Sequence, residues 1–284
     1  MRFMMMVKSS AQSEAGVLPT EAELSGMGAY NDELIAAKVM LAGEGLQASS
    51  KGTRVRINGN KTQIIDGPFS ETKELLAGYW LIQTQTKQEA IEWAKKVPFE
   101  EGEVEVRQIY ELTDFGIEVP QTFTDAPPTP ARKAGTKRYA VLIKADAKTE
   151  AAVMPSEGDT LFEEMGALMY DYTQKGAVLA GDGLQPTSRC FKVKYDGKQR
   201  SVIDGPFTET KEIIAGFSIV QFATKEEAVE FARQQLAIHC KWSKLPGEIE
   251  VREIFEIEDF PVSPEEKPDG WRDRETRFRD AMSH

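Results

Sequence analysis

The chain repeats itself, and this duplication constrains its fold more than any other feature of the sequence. Residues 66–79 read DGPFSETKELLAGY and residues 204–217 read DGPFTETKEIIAGF, so ten of fourteen positions are identical at an offset of 138. Residues 41–47 and 179–185, LAGEGLQ and LAGDGLQ, match at the same offset. Because self-similarity at a long period marks repeated structural units, the sequence predicts two copies of one domain.

Segments without internal similarity separate and follow the two copies. The segment between them contains four prolines and little apolar periodicity, which is typical of an extended surface linker. In the tail, Trp271 and Phe278 are seven residues apart, a spacing that would pack a short helix onto the body; a solvated tail is the alternative. We therefore divide the chain into a first copy, a linker, a second copy and a C-terminal tail, at residues 1–115, 116–136, 137–260 and 261–284.

Composition and charge argue against several classes of protein. Hydrophobic residues make up 40% of the 284 positions, which is enough for two ordinary cores. A formal net charge of −11 would repel a phosphate backbone, so we expect no binding to nucleic acid. No apolar run approaches the ~20 residues of a membrane span, so no membrane partner is expected. Two cysteines and two histidines are too few for a disulfide framework or a multi-histidine metal site, and we expect a cytoplasmic protein without metal or cofactor.

The hydrophobic pattern changes its period in the same order in both copies. In the first copy, a β-like run at 2–8 precedes a helical stripe, a hairpin with Asn58-Gly59 at its turn, and a strand at 78–83. A capping box that begins at Thr86 starts a second helix, and a last strand ends the copy. This order of strand, helix, hairpin, strand, helix and strand is the ferredoxin-like plan of an α+β protein.

The first and third strands of each copy are apolar on both faces, as where Phe3 and Met5 alternate with Met4 and Met6. Two helices cover only one face of a small sheet, so the other face must be buried as well. We therefore predict tandem ferredoxin-like repeats that pack sheet to sheet. The two copies of one chain would satisfy this packing internally, and pairing with copies from another chain is the alternative.

Four motifs occur in the same order in both copies, and in the first they read LAGEGL, the hairpin, DGPFSETKELLAGY and VEVR. In these motifs the chain resembles the YCII-related proteins, in particular the branch named for its DGPF motif. The resemblance implies a dimeric ferredoxin-like α+β barrel, formed here as a pseudo-dimer by the tandem copies. It also implies an association with extracytoplasmic-function sigma factors.

The wider family is suspected of catalysis through a histidine in the first helix and an aspartate near the third strand. The histidine is absent here, because the matching stretches carry Met27 and Met165 with other non-histidine residues. Asp66 and Asp204 are the best matches for the aspartate. The resemblance therefore supplies half of the suspected pair in each copy.

Asp66 and Asp204 are the first candidates for catalytic residues. An aspartate that leaves a strand beside a lumen can serve as a general base or anchor a substrate hydroxyl or amine. In that case we expect Arg107 or Arg252 to line the same pocket. The alternative is that Asp-Gly-Pro is a turn, in which the aspartate accepts backbone N–H groups.

Glu105 with Arg107, and Glu250 with Arg252, are candidate binding residues. Each pair is two positions apart on a strand, so both side chains share one face. We expect that face to be the one away from the helices, where an arginine could clamp a carboxylate. An internal salt bridge between the packed sheets is the alternative.

Four further charged residues are candidate ligand contacts. Glu44 and Asp182 each stand between two glycines, which permit close approach of a ligand or simply a tight acidic loop. Lys73 and Lys211 belong to the repeated Glu-Thr-Lys-Glu and could bind an anion or neutralise the nearby aspartate. A solvated face with internal ion pairs is the alternative for that run.

Three residues without counterparts in the first copy are interpreted as structural. Cys190 and Cys240 have no partner position in the repeat. His239 lies inside a seven-residue insertion around residues 238–244, which the first copy lacks. A residue confined to one copy is a poor candidate for a catalytic role shared by both.

Two classes of function follow. The first is a small-molecule-binding or regulatory protein whose ligand the sequence does not identify. The second is a cofactor-free enzyme, such as an isomerase, lyase or oxygenase-like protein, that uses pockets at Asp66 and Asp204. A homodimer in addition to the internal pseudo-dimer is left open.

Overall fold

The structure is a computed structural model that describes residues 1–70, 75–115, 131–156, 158–197, 199–207, 213–260 and 270–282. The first copy runs through β1 Arg2–Lys8, α1 Ala11–Glu14, α2 Glu21–Ala36, β2 Met40–Gly45, β3 Thr53–Asn58, β4 Lys61–Asp66, β5 Leu76–Gln83, α3 Lys87–Lys95 and β6 Glu101–Gln108. The second copy repeats this order in β7 Lys137–Lys144, α4 Ala147–Glu150, α5 Leu161–Gln174, β8 Val178–Gly183, β9 Phe191–Asp196, β10 Gln199–Asp204, β11 Ile214–Phe222, α6 Lys225–Ser243 and β12 Gly247–Glu253. A terminal helix, α7, spans Trp271–Met282.

Each copy donates its hairpin to the sheet of the other. The strands form two six-stranded antiparallel sheets, in the orders β10-β9-β6-β1-β5-β2 and β4-β3-β12-β7-β11-β8. The first copy's hairpin pairs with β12, with Val55 opposite Ile249. The second copy's hairpin pairs with β6, with Val193 opposite Val104. Neither sheet is therefore complete without strands from both copies.

The apolar residues form three layers, one between the sheets and one under each pair of helices. Met4 and Met6 of β1 lie in the core between the sheets, whereas Phe3 and Met5 lie in the core under the first copy's helices. The predicted α+β class, the tandem repeats and the sheet-to-sheet packing are thus confirmed, with the two copies of one chain as partners.

The barrel implied by the resemblance is not closed among the described residues. The two sheets remain separate, and in the described part of the chain the β-pairing between them is limited to two isolated bridges, Leu46 with Ile254 and Ile109 with Leu184. The bridges flank the core between the sheets without merging them into one continuous sheet.

Helices begin where the sequence provides caps. The Thr224 hydroxyl accepts from the N–H of Glu227, whose carboxylate accepts in turn from the N–H of Thr224, as the capping box predicts. At α3 the Thr86 hydroxyl caps the helix in the same way, but the Glu89 carboxylate accepts from the N–H of Gln85 instead. Such a cap stabilises a helix by ~1 kcal/mol.

The tail forms a helix from residue 271 onward. Helix α7 contacts α2. The Trp271 ring packs edge-on against Phe260, with 5.1 Å between ring centroids, and Arg279 bonds to Glu256 at 2.9 Å. In the part of the chain that the structure describes, no helix is long and apolar enough to cross a membrane.

Candidate functional site

Asp66 and Asp204 lie on the surface of the molecule. They end β4 and β10, the outermost strands of the two sheets, and their side chains are 67% and 70% exposed. Asp66 accepts hydrogen bonds from the Thr53 hydroxyl at 2.6 Å and from Lys225 Nζ at 2.9 Å. Asp204 accepts from Lys87 Nζ at 2.7 Å. Each lysine is the first residue of a helix in the other copy, so these ion pairs tie each exchanged hairpin to its host.

The expected placement of the aspartates in a lumen beside Arg107 or Arg252 is therefore wrong. Asp66 and Asp204 are exposed at a rim of each sheet, whereas Arg107 and Arg252 are completely buried. The hydrogen bond from Thr53 and the ammonium of Lys225 lower the pKa of the Asp66 carboxyl below its usual range, so it stays charged. Asp66 therefore stabilises a turn and forms an ion pair on the surface.

The rest of the DGPF motif supports the same structural role. A Cβ on Gly67 would lie 1.8 Å from the Ser49 carbonyl oxygen, and one on Gly205 equally close to that of Thr187. Only glycine allows the backbone to approach this closely. Phe69 then receives the guanidinium of Arg54 over its ring, 4.1 Å from the centroid.

Arg107 and Arg252 are completely buried, and their guanidinium groups are occupied. Arg107 donates through Nε and Nη2 to the Gln185 carbonyl at 3.0 and 2.6 Å, and through Nη1 to Glu105 at 3.3 Å. Its Nη2 also contacts Glu150 at 3.3 Å. A carboxylate clamp needs donors that a ligand can reach, so the salt-bridge interpretation accounts for these residues and the clamp does not.

Arg252 makes the equivalent set of contacts with its own surroundings. It donates to the Gln47 carbonyl at 3.2 and 2.5 Å, to Glu250 at 3.0 Å and to Glu14 at 3.4 Å. Gln47 and Glu14 belong to the first copy and Arg252 to the second. The two arginine clusters are thus cross-links between the copies.

The buried glutamates of these clusters are held in their charged form. Burial alone would raise the pKa of Glu250, but the charges of Lys144, Arg252 and Arg54 outweigh it and lower the pKa to about 2. The same balance of burial against neighbouring lysine and arginine charges lowers the pKa of Glu105. Both glutamates therefore serve as permanent anions in the interior.

Glu44 and Asp182 lie on the edge strands β2 and β8 rather than in a loop. Arg2 donates to Asp182 at 2.9 and 3.1 Å, and Arg138 donates to Glu44. Each pair joins one copy to the other, so these carboxylates too are engaged in cross-links. Lys73 and Lys211 lie outside the described residues.

A cleft of about 1450 Å³ is lined by both copies. In the second copy it is bounded by α5, α6 and strands β8 and β11, and it continues past the ion pair of Arg2 and Asp182 to strands β2 and β5 of the first copy. Its wall is largely apolar, with Leu161, Met165 and Met169 contributed by α5. Concave, mostly apolar sites of this kind are where proteins bind small molecules.

One difference between the repeats changes the side chains that line this cleft beside α6. Ser218 of β11 occupies the repeat position of Trp80 in β5. Trp80 is buried, donates from its indole N–H to Asn31 at 2.9 Å and packs edge-on against Tyr30, 5.4 Å between centroids. In the first copy the indole fills the space under the helices. In the second copy Ser218 stands there; it is buried, accepts from the Gln235 amide at 2.8 Å and lies 3.9 Å from the Met169 sulfur.

The insertion in the second copy supplies polar groups to the same place. Helix α6 has 19 residues, whereas α3 has 9. The additional turns bring His239 and Trp242 to the cleft, beside Gln235, which donates to the Ser218 hydroxyl at 2.8 Å. His239 Nε2 lies 3.0 Å from Asp146 Oδ2, and both side chains are buried.

Asp146 is the residue that orients His239. It caps α4, and its carboxylate accepts from the backbone N–H groups of Lys148 and Thr149 at 2.9 Å each. Burial alone would raise the pKa of Asp146, but the hydrogen bonds from His239 and Thr149 hold it well below its usual range. Asp146 is therefore an anion at neutral pH and accepts from the imidazole N–H.

Comparison with known proteins identifies the domain that is repeated. The model of the YCII-related domain matches residues 1–113 and, a second time, residues 137–258. The chain belongs to the YCII-related family. An uncharacterised protein of Rhizobium meliloti (strain 1021) is 32% identical over 95 residues, which cover 34% of this chain and 77% of that protein.

Membership in the YCII-related family accounts for the repeated fold, but the cleft depends on features that the two YCII-related copies do not share. The sequence gives no reason to expect a functional role for His239, because the insertion that contains it has no counterpart in the first copy. The replacement of Trp80 by Ser218 was the available signal, since a large core residue lost at a repeat position leaves space. His239 and Asp146 are 93 residues apart in the sequence, so no local sequence pattern predicts their contact.

Two further observations concern metal and thiol chemistry. Among the described residues, no group of three or more histidine, cysteine or carboxylate side chains could hold a metal ion. Burial raises the pKa of the Cys190 thiol and raises that of Cys240 to about 11. Both thiols are therefore protonated and unreactive at neutral pH.

Proposed function

We propose that this YCII-related protein binds a small, mainly apolar molecule in the cleft of its second copy. The observation that carries the proposal is the exchange of Trp80 for Ser218 at equivalent positions of the two repeats. The first copy serves as an internal reference, because it shows that the fold packs well when an indole occupies this place. In the second copy the flexible side chains of Met169 and Gln235 cover Ser218 instead, and all three residues line the cleft.

The size and the lining of the cleft support the same proposal. The whole cleft, at about 1450 Å³, exceeds the ~300–1,000 Å³ of common ligand pockets, so a small molecule would occupy only part of it. Beside α6 its polar lining groups are those of Ser218, Gln235 and His239, whereas charged residues such as Arg2 and Asp182 line it farther along β8. A few polar contacts inside an apolar wall orient a ligand without requiring it to be charged.

We also propose that ligand binding by this protein regulates transcription. The resemblance to proteins that accompany extracytoplasmic-function sigma factors favours a cytoplasmic ligand sensor, and the two protonated thiols are compatible with a reducing compartment. Deleting the gene and comparing transcripts with and without added small molecules tests this regulatory role. Unchanged transcript levels under all conditions would contradict it.

Binding itself is tested with the neutral dye Nile red, whose fluorescence rises in apolar surroundings. Ser218→Trp places the residue of the first copy in the second and should abolish the fluorescence increase. Ser218→Ala is the matched control, since it removes the hydroxyl without adding bulk, and it should still give a fluorescence increase with the dye. Equal binding by the tryptophan variant, with its fold intact by circular dichroism, would refute the proposed site.

A cofactor-free enzyme is the second candidate function. The observation that favours it is the histidine–carboxylate pair in the cleft, rather than the exposed Asp66 and Asp204. A pair of this kind can move a proton without a metal or cofactor.

A further inference from the structure

The hydrogen bond between His239 and Asp146 determines which imidazole nitrogen is left as an acceptor. An ionised carboxylate only accepts, so the Nε2 that lies 3.0 Å from Asp146 must carry the proton. In the neutral ring, Nδ1 then has a free lone pair. Among the described residues no protein group bonds to Nδ1, and His239 is part of the cleft lining.

We propose that His239 and Asp146 form a proton-accepting pair for a neutral, mainly aromatic ligand that carries an acidic hydroxyl, as a phenol does. This inference rests on the proposed binding function of the cleft and names the class of molecule that the cleft takes. His239 is the group that touches the ligand hydroxyl. Asp146 is a positioning residue that acts through His239.

The charges around His239 favour a neutral hydroxyl over an anion. Asp146 lies directly behind the imidazole, so an anionic ligand would meet a negative charge through a small ring. On α4, the Lys148 ammonium is engaged by Trp242, donating to its carbonyl at 3.3 Å and lying 5.1 Å from the centroid of its ring. On α6 itself, Lys241 is paired with Glu164 at an exposed position.

The walls near the imidazole favour an aromatic body. The sulfur atoms of Met165 and Met169 both lie close to the Gln235 amide, at 3.9 and 3.4 Å. The Trp242 ring packs edge-on against His239, with centroids 5.6 Å apart. Thioether sulfur and indole both make favourable contacts with aromatic rings.

The proton transfer involves only the ligand, His239 and Asp146. The O–H bond of the phenol breaks, its electron pair stays on the oxygen, and the proton forms an N–H bond at Nδ1. The resulting imidazolium lies between the phenolate and the Asp146 carboxylate, which stabilise its charge. No oxidant, reductant or other reactant is required.

The test compares two probes of nearly equal size, p-nitrophenol and its methyl ether p-nitroanisole. The full chain should bind p-nitrophenol about tenfold more tightly, because only the phenol donates a hydrogen bond, and ~1.4 kcal/mol corresponds to that factor. The bound phenol should also show a larger yellow phenolate fraction than the free phenol at the same neutral pH. Equal affinities for the two probes would overturn the inference while leaving the binding function in place.

Variants separate the two roles. His239→Gln should still bind both probes, now with equal affinity, and should lose the excess phenolate. Asp146→Asn should keep Nile red binding but also lose the excess phenolate, because an amide can donate to Nε2 and move the ring proton to Nδ1. An unchanged phenolate fraction in His239→Gln would overturn the inference.

The tautomer provides an independent readout. The chain has only two histidines, so long-range ¹H–¹⁵N spectra contain two imidazole patterns, and the variant assigns that of His239. The Nε2–H tautomer is expected, with conversion to the other tautomer in Asp146→Asn. A neutral ring protonated at Nδ1 in the unaltered protein would contradict the inference. Probe binding that survives Ser218→Trp would instead refute the cleft as the binding site.

Discussion

Arg107 of the first copy donates two hydrogen bonds to the main-chain carbonyl of Gln185 in the second copy, at 3.0 and 2.6 Å. The repeat equivalent, Arg252, does the same to Gln47 in the opposite direction, at 3.2 and 2.5 Å. A charged donor on a backbone carbonyl fixes the relative position of two chain segments more strictly than apolar contact does. The copies are therefore held in register by a symmetric pair of buried cross-links.

Arg107→Met is expected to lower the free energy of unfolding by ~3–5 kcal/mol. The substitution leaves the Glu105 carboxylate in the interior without its guanidinium partner, which is costly at a buried site. Urea denaturation followed by circular dichroism measures the change. Arg56→Met is the control, since Arg56 is half exposed and its loss should cost at most ~1 kcal/mol. Equal effects of the two substitutions would show that burial adds nothing to the cross-link.

Glu250 should make the stability of the protein sensitive to acid. Its folded pKa of about 2 lies below the ordinary 4.5, so its contribution is fully present above pH 4.5 and is lost as the pH falls toward 2. A shift of this size corresponds to about 3 kcal/mol. The difference in unfolding free energy between the unaltered protein and Glu250→Gln should shrink across this window. A difference that stays constant down to pH 3 would contradict the assignment.

The exposed aspartates and the glycines after them should respond very differently to substitution. Asp66→Asn removes an exposed ion pair and should cost ~0–1 kcal/mol. Gly67→Ala places a methyl group 1.8 Å from the Ser49 carbonyl oxygen, so the melting temperature should fall by many degrees. Differential scanning calorimetry of both variants checks the contrast. The double change of Asp66 and Asp204 to Asn should leave the binding of Nile red and p-nitrophenol intact. Loss of binding of either probe would show that the aspartates belong to the binding site.

Trp80→Ser should open a cavity in the first copy, where the buried indole now packs. Removing a buried indole costs ~3–5 kcal/mol, which urea denaturation would detect. The new cavity lacks an equivalent of His239, because α3 ends at Lys95. Added p-nitrophenol should therefore gain no phenolate from it. If the double variant Trp80→Ser, His239→Gln still increased the phenolate fraction, a group other than His239 would have to accept the proton.

The sequence predicts the repeated domain and the packing of its strands, since apolar positions on both faces of β1 require burial on both sides. It does not predict the exchange of hairpins. The hairpin pattern, with Val55 and Ile57 on one face, requires only a sheet edge to pair with. The two available edges, β6 and β12, carry nearly the same residues, VEVR and IEVR, so no local signal distinguishes one host from the other.

The residues of the candidate site are likewise only partly predictable from the sequence. Asp66 and Arg107 were recognised from their repeated motifs, but repetition reflects what both copies need, and both copies need turns and cross-links. His239 and Ser218 differ between the copies, and only the folded chain shows that α6 carries His239 to Asp146. Repeated motifs therefore identify residues that stabilise both copies, and they do not identify the cleft residues that occur in only one copy.

The exchanged hairpins imply that the covalent connection between the copies is dispensable once the protein has folded. A cut in the linker at residues 116–136 would leave two polypeptides, each of which supplies two strands to the sheet of the other. The halves should co-purify as a tight heterodimer when they are expressed from separate genes, whereas either half alone would present an unpaired β6 or β12 edge and aggregate. The duplicated chain can thus be regarded as a permanently fused dimer, in which each half acts as a folding template for the other.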